Sequence, residues 1–205
     1  MKQIDWFAHE SAVRRRGFTQ ICGIDEAGRG PLAGPVFAAA VILPADARIE
    51  GLNDSKKLSE KKREQLFDVV KETAVSWSVA FATEREIDEI NILQATFLAM
   101  RRACEGLTVP ADYALVDGNR MPLLPVPAET IIKGDASSAS IAAASILAKV
   151  SRDRLMRELD ALYPEYQFAK HKGYGTKLHT DLLRQYGPCP IHRRSFLKKI
   201  LGGTE

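Results

Sequence analysis

The sequence predicts an α/β fold, with a mixed central sheet, helices on its faces and a helical extension at the C-terminal end. Three observations carry this. Short, continuously apolar runs such as Val36-Phe37-Ala38-Ala39-Ala40-Val41-Ile42-Leu43 read as strands covered on both faces. Longer stretches with apolar residues at helical spacing lie between them. After Tyr163-Pro164 only helical and loop patterns remain.

Residues 1–16 read as a short helix, with Ile4, Phe7 and Val13 as weak apolar marks. The first strand is expected at 19–24 and the second at 36–43. The Gly/Pro-rich turn between them is too short for a helical crossover, so they should pair antiparallel. Ser59 is a good N-cap for a helix reaching about Ala74, marked by Leu66, Phe67, Val69 and Val70. A strand follows at 76–83. Thr83-Glu84-Arg85-Glu86 matches a capping box, and Ile87, Ile90, Leu93, Phe97, Met100 and Cys104 then form a core stripe.

Tyr113-Ala114-Leu115-Val116-Asp117 is a short buried strand ending in an acid. The prolines between Met121 and Pro127 enforce a loop. Residues 129–133 form a strand ended by Gly134-Asp135. Residues 140–162 form a long helix, whose Ala142-Ala143-Ala144-Ser145 segment allows close backbone approach. His171-Lys172-Gly173-Tyr174-Gly175 is a basic aromatic loop. Thr176 caps a helix to Tyr186, stopped by Gly187-Pro188, and 195–201 is a last short helix.

The 205 residues suit one domain with a small C-terminal addition. A net charge of +3 is too mild to name a partner by itself. Cys22, Cys104 and Cys189 are widely separated and odd in number, which excludes a zinc ribbon and a disulfide framework. Cys22 reads as a small buried hydrophobe. No apolar window spans a membrane, and residues 1–18 lack the apolar core of a secretory signal, so a cytoplasmic protein is expected.

The chemistry lies in acids that share one context. Asp25-Glu26, Asp117 and Asp135 each follow a short apolar strand, and adjacent strand ends bring such residues into one crevice. A carboxylate cluster with few His or Cys suits Mg²⁺ or Mn²⁺. Asp153 is either a further member or the partner of Arg154 or Arg157. Gly28-Arg29-Gly30-Pro31-Leu32-Ala33 also fits the dinucleotide fingerprint G-x-G-x-x-A. Pro31, Gly34 and Pro35 prevent the helix which that motif needs. The glycines instead let backbone approach a sugar-phosphate chain, with Arg29 as a donor. Arg29 cannot accept, so loop carbonyls are expected to supply any acceptor. Lys56 and Lys57 form one basic loop, and His171, Lys172, Tyr174 and Lys177 a second one around an aromatic. Each alone is a solvated loop; beside a metal cluster they suit a nucleic-acid strand.

Asp25-Glu26-Ala27-Gly28-Arg29-Gly30, Asp54-Ser55-Lys56-Lys57-Leu58, Val116-Asp117-Gly118-Asn119, Lys133-Gly134-Asp135, the run from Ala142 to Asp153, and His171-Lys172-Gly173-Tyr174-Gly175-Thr176 together resemble bacterial ribonuclease HII. The likeness runs from about Thr19 to Arg194, and Gly28-Arg29-Gly30 resembles the HII form of the loop more than that of ribonuclease HIII. The resemblance implies a ribonuclease H-like fold, with an N-terminal extension at 1–18, a catalytic core at 19–164 and an extension at 165–205 carrying a substrate-binding loop.

It also implies an endonuclease that cuts RNA paired or joined to DNA, by a two-metal in-line hydrolysis leaving 5′-phosphate and 3′-hydroxyl ends. Asp25, Glu26, Asp117 and Asp135 would bind two Mg²⁺ or Mn²⁺ ions. Gly28, Arg29 and Gly30 would read the ribose 2′-hydroxyl, and Tyr174 would pack on the deoxyribose beyond the cut. Lys56 and Lys57 would hold phosphate, and Lys172 in the patch around Tyr174 is a further nucleic-acid-binding candidate. The partners are RNA–DNA hybrids and DNA duplexes containing ribonucleotides; a monomer without a protein partner is expected. A non-catalytic hybrid binder would keep Lys56, Lys57, Lys172 and Tyr174 but would not need the acids. An oxidoreductase would rest on the weak glycine match alone.

Overall fold

The computed structural model describes residues 5–202. Helix α1 (Ala8–Arg14) leads into strand β1 (Ile21–Ala27), which pairs antiparallel with β2 (Val36–Ile42). Helix α2 (Glu60–Thr73) and strand β3 (Ser76–Ala82) follow, then helix α3 (Glu84–Glu105). Strands β4 (Tyr113–Asp117) and β5 (Ala128–Ile131) precede the long helix α4 (Ala139–Leu162). Helices α5 (Phe168–His171), α6 (Lys177–Tyr186) and α7 (Arg194–Leu201) complete the chain. The sheet order is β3-β2-β1-β4-β5, with β1, β4 and β5 parallel and the other pairs antiparallel.

Strand periodicity of two divides β2 between two cores. Val36, Ala38, Ala40 and Ile42 face α3 with Cys22, Ile24 and Val116. Ala39 and Val41 face α4 and α2 with Leu66, Phe67, Val70 and Leu147. Small residues set the distance to α4: a Cβ on Gly23 would stand 2.1 Å from the Ser140 carbonyl carbon. Helix α4 therefore lies directly on β1, the strand that carries the first two acids.

The expected elements are found, with three physical adjustments. Strand β1 begins later and runs through Asp25 and Glu26, so these acids lie inside the strand rather than after it. The α3 stripe is broken at Asn91, whose φ of 67° interrupts the helix while its side chain caps the next turn through the Leu93 and Gln94 amides. Ile90 is consequently exposed, and Ala95, Ala99 and Ala103 supply the buried face beside Ile87, Met100 and Cys104. The N-terminal helix is shorter than expected, and the apolar mark Ile4 lies outside the described residues. Its Glu10 is fully buried and accepts from the Ser138 hydroxyl at 2.7 Å and the Ser140 amide at 3.0 Å, at the positive end of α4. No described helix is long and apolar enough to cross a membrane. All three cysteines are free and buried.

Candidate active site

Strands β1 and β4 run parallel with Ile24 opposite Val116, so Asp25 and Asp117 end side by side. Asp135 reaches them from a 3-10 turn, Gly134–Ala136, entered through Lys133 in the left-handed region. The Gly134 amide donates to Asp117 Oδ1 at 2.7 Å, which ties the turn to the strand end. One carboxylate oxygen from each of Asp25, Asp117 and Asp135 falls within 4.8 Å of the others. Burial, reinforced by the charges of Glu26 and Asp117, pushes the Asp25 carboxyl well above its ordinary pKa. Burial and then Asp117 raise Asp135, against the pull of Lys56.

Glu26 takes the other face. Neighbouring residues of a strand point oppositely, so Asp25 shares the α4 side with Gly23 while Glu26 shares the α3 side with Cys22 and Ile24. Glu26 accordingly stands outside the close trio. It lines a cleft with Arg29, Phe97, Asp117, Asn119 and Arg120, and accepts from Arg29 Nη1 at 3.3 Å. Burial raises its carboxyl and Arg29 lowers it.

A groove of about 240 Å³ adjoins the trio, lined by Glu26, Ala27, Gly28, Arg29, Gly30, Ser55, Lys56, Lys149 and Tyr174. Lys56 sits in the 3-10 turn Ser55–Lys57, capped by the Asp54 side chain. Burial opposes its charge, but Asp25, Asp135 and Asp54 outweigh that and raise its pKa. Tyr174 is half-exposed and faces the glycine loop, since a Cβ on Gly30 would lie 3.8 Å from its ring. The site thus joins a hard-oxygen cluster to a groove that carries bases, an aromatic ring and exposed backbone.

A profile of the family described as ribonuclease HII matches residues 22–199. The chain belongs to the ribonuclease HII family. A ribonuclease HII of Desulfitobacterium hafniense strain DCB-2 is 63% identical over 187 residues, covering 91% of this chain and 72% of that protein. One from Caldicellulosiruptor saccharolyticus is 56% identical over 197 residues, 96% of each chain. The crystal structure of ribonuclease H2 from Pyrococcus horikoshii OT3 matches with a TM-score of 0.74 at 29% identity, covering 90% of this chain and 98% of that one. The fold is ribonuclease H-like, and the protein is a metal-dependent endonuclease of the ribonuclease H type.

Against the features shared with ribonuclease HII, several local expectations change. Asp153 pairs with neither Arg154 nor Arg157, which turn to Glu64 and Glu60. It accepts from Lys149 at 2.7 Å, lies 4.0 Å from Arg63, and stands outside the acid trio. His171 is buried beneath the loop, where burial lowers its pKa, so it adds no surface charge. The Lys172 ammonium folds onto the Ala169 carbonyl, and Lys177 pairs with Asp181 at 2.6 Å. Lys57 is exposed, 4.0 Å from Asp54. The carbonyls of Gly28 and Arg29 are held by Arg193, at 2.6 and 3.0 Å, and so do not face the groove.

Three groove and loop residues escaped the sequence reading. Lys149 borders Tyr174, 5.9 Å from its ring; it lies in the run from Ala142 to Asp153 that carries the resemblance, but nothing in its local sequence gave it a role. Arg152 and Arg193 are fully buried and bond backbone carbonyls of the glycine loop and its sequel. In sequence both look like members of solvated basic runs.

Proposed function

We propose that the protein hydrolyses the RNA strand of RNA–DNA hybrids and cuts at ribonucleotides embedded in DNA. It leaves 5′-phosphate and 3′-hydroxyl ends and acts as a cytoplasmic monomer. Asp25, Glu26, Asp117 and Asp135 would hold two Mg²⁺ or Mn²⁺ ions. The observation that carries this is the convergence of Asp25, Asp117 and Asp135 within 4.8 Å at the mouth of the Arg29–Tyr174 groove. The donor set fits: clustered carboxylates without nearby sulfur or imidazole are ligands for hard divalent cations. Ions bound there would neutralise the scissile phosphate and acidify the attacking water.

The chain's own residues supply position. Lys56, beside Asp135, offers a cation to phosphate at the edge of the acids. The Gly28-Arg29-Gly30 loop meets the ribose, and Tyr174 packs on the following deoxyribose, where a 2′-hydroxyl would crowd the ring. The groove therefore checks for a hydroxyl on one side of the cut and its absence on the other.

The test is cleavage of two substrates, a continuous RNA–DNA hybrid and a DNA duplex with one ribonucleotide, with and without a chelator. Metal-dependent cutting of both is expected. Tyr174→Ala should reduce kcat/KM more on the single-ribonucleotide duplex. Binding without cleavage in Mg²⁺ and Mn²⁺ would instead make the protein a hybrid binder. Equal losses on both substrates would reduce Tyr174 to general support.

A further inference from the structure

Two guanidinium groups lie buried under the glycine loop, and neither has a carboxylate partner within salt-bridge distance among the described residues. An unpaired buried charge is costly unless every N–H is engaged. Arg193 meets this with three backbone carbonyls: Nε donates to Gly34 at 2.8 Å, Nη1 to Arg29 at 3.0 Å and Nη2 to Gly28 at 2.6 Å. Its own segment is pinned to the same loop, through Arg193 N to Leu32 O at 2.8 Å and Gly34 N to Ile191 O at 2.9 Å. Arg152 secures the other half, donating to Ala33, Pro35 and Lys172 carbonyls.

The peptide plane turns this packing into recognition chemistry. In a trans peptide the C=O and the following N–H point in opposite directions. The Gly28 carbonyl is drawn inward, so the Arg29 amide points outward. The Arg29 carbonyl is drawn inward, so the Gly30 amide points outward too. Among the described residues neither amide meets an intramolecular acceptor. Both residues are exposed and line the groove facing Tyr174. Successive outward amides form a concave donor pair suited to an oxygen.

We propose that Arg193 is a positioning residue for ribose recognition: it holds the Gly28 and Arg29 carbonyls inward so that the Arg29 and Gly30 amides face the substrate's 2′-hydroxyl oxygen. This rests on the reading of the groove given above. It assigns the acceptor role to the hydroxyl oxygen and the donor role to the backbone. Arg193 acts through the loop and touches no reacting atom.

The experiment compares the affinities of the full chain for a DNA duplex with one ribonucleotide and for the same all-deoxy duplex, without divalent ion. Arg193→Lys keeps a cation but loses the planar fork. The preference for the ribonucleotide should fall about tenfold, the effect of two misplaced hydrogen bonds. Affinity for the all-deoxy duplex should stay as in wild type, which a general loss of folding would not allow. A folded Arg193→Lys protein with the wild-type preference overturns the proposal. A second measurement does not depend on the variant folding: the ¹⁵N–¹H signals of Arg29 and Gly30 in the wild-type protein should shift between the two duplexes. Unmoved signals beside a clear affinity difference overturn the role of Arg193 while leaving the groove's preference standing. A wild-type protein that binds both duplexes equally overturns the groove reading itself, and the proposal with it.

Discussion

The Lys56 ammonium stands 3.4 Å from Asp135 Oδ2, at the exposed edge of the acid trio. Its charge lowers the pKa of Asp25, Glu26 and Asp135 against the burial that raises them. Removing it leaves burial and mutual repulsion unopposed. In Lys56→Ala the acid limb of kcat/KM should therefore move to higher pH, measured on one hybrid substrate across pH 5 to 9. An unshifted limb would show that Lys56 acts on phosphate alone.

Asp25→Asn should abolish cleavage and stabilise the metal-free protein. The Asp25 carboxyl is raised above its unfolded value, so its stability contribution is fully present below the unfolded pKa and is lost as pH rises through the folded one. The asparagine has no such loss. The gain in Tm over wild type should be several degrees at pH 8, as like charges are removed, and should close near pH 4. Thermal scans in chelator at both pH values read this directly, and a gap independent of pH would refute it.

The two glycines of the loop should fail differently. At Gly28, with φ of +96°, a Cβ would sit 2.1 Å from Arg152 Nε, beneath the loop rather than in the groove. Gly28→Ala should cost about 1–3 kcal/mol from the backbone alone, visible as a lower Tm. Gly30 has only the Tyr174 ring nearby, at 3.8 Å. Gly30→Ala should keep its Tm and lose kcat/KM by crowding the groove. Equal Tm losses would mean that both positions are purely structural.

Acid should loosen the tyrosine loop from below. The Cys189 amide donates to His192 Nδ1 at 3.0 Å, which leaves the His192 proton on Nε2, 3.0 Å from His179 Nε2. His179 then donates from Nδ1 to the Tyr174 carbonyl at 2.9 Å. Every acceptor nitrogen in this chain is occupied, so an added proton breaks it. Burial lowers both His179 and His192 to about 4. Being depressed, they contribute stability that is present above the unfolded value near 6.5 and lost as pH falls toward 4. Between pH 7 and pH 4.5 the metal-free Tm of wild type should fall relative to that of His192→Asn, which keeps the opposing contribution of the acid trio. A variant with the wild-type slope would remove the pair as its cause.

The sheet, both major helices and the acids were legible because apolar runs, caps and strand-end carboxylates are local signals. Ser59, Thr83 and Thr176 cap the helices that their sequence context indicates. What was not legible depends on facing direction. That Asp25 and Glu26 diverge follows from one strand extending three residues farther than its apolar run. That Arg193 is buried follows from a contact 165 residues away, with Gly28. His171 looked like surface base because its neighbours are polar, yet its ring stacks on His179 at 4.3 Å inside the C-terminal core.

The bond between Glu10 and Ser138 also orders events during synthesis. Glu10 emerges from the ribosome while the helix it caps does not yet exist, and its partner lies 128 residues downstream. Until that point its carboxylate stays hydrated, the Trp6 carbonyl waits for the Ala139 amide, and Val13 of α1 has Ile21, Tyr113 and Leu115 to pack on but not Ile141. The seat of the first helix is thus completed only when α4 has formed. A nascent chain halted before β5 would hold the glycine loop and three of the four acids without the helix that packs behind them, and a ribosome-bound fragment of that length should be more open to protease at α1 than the full chain.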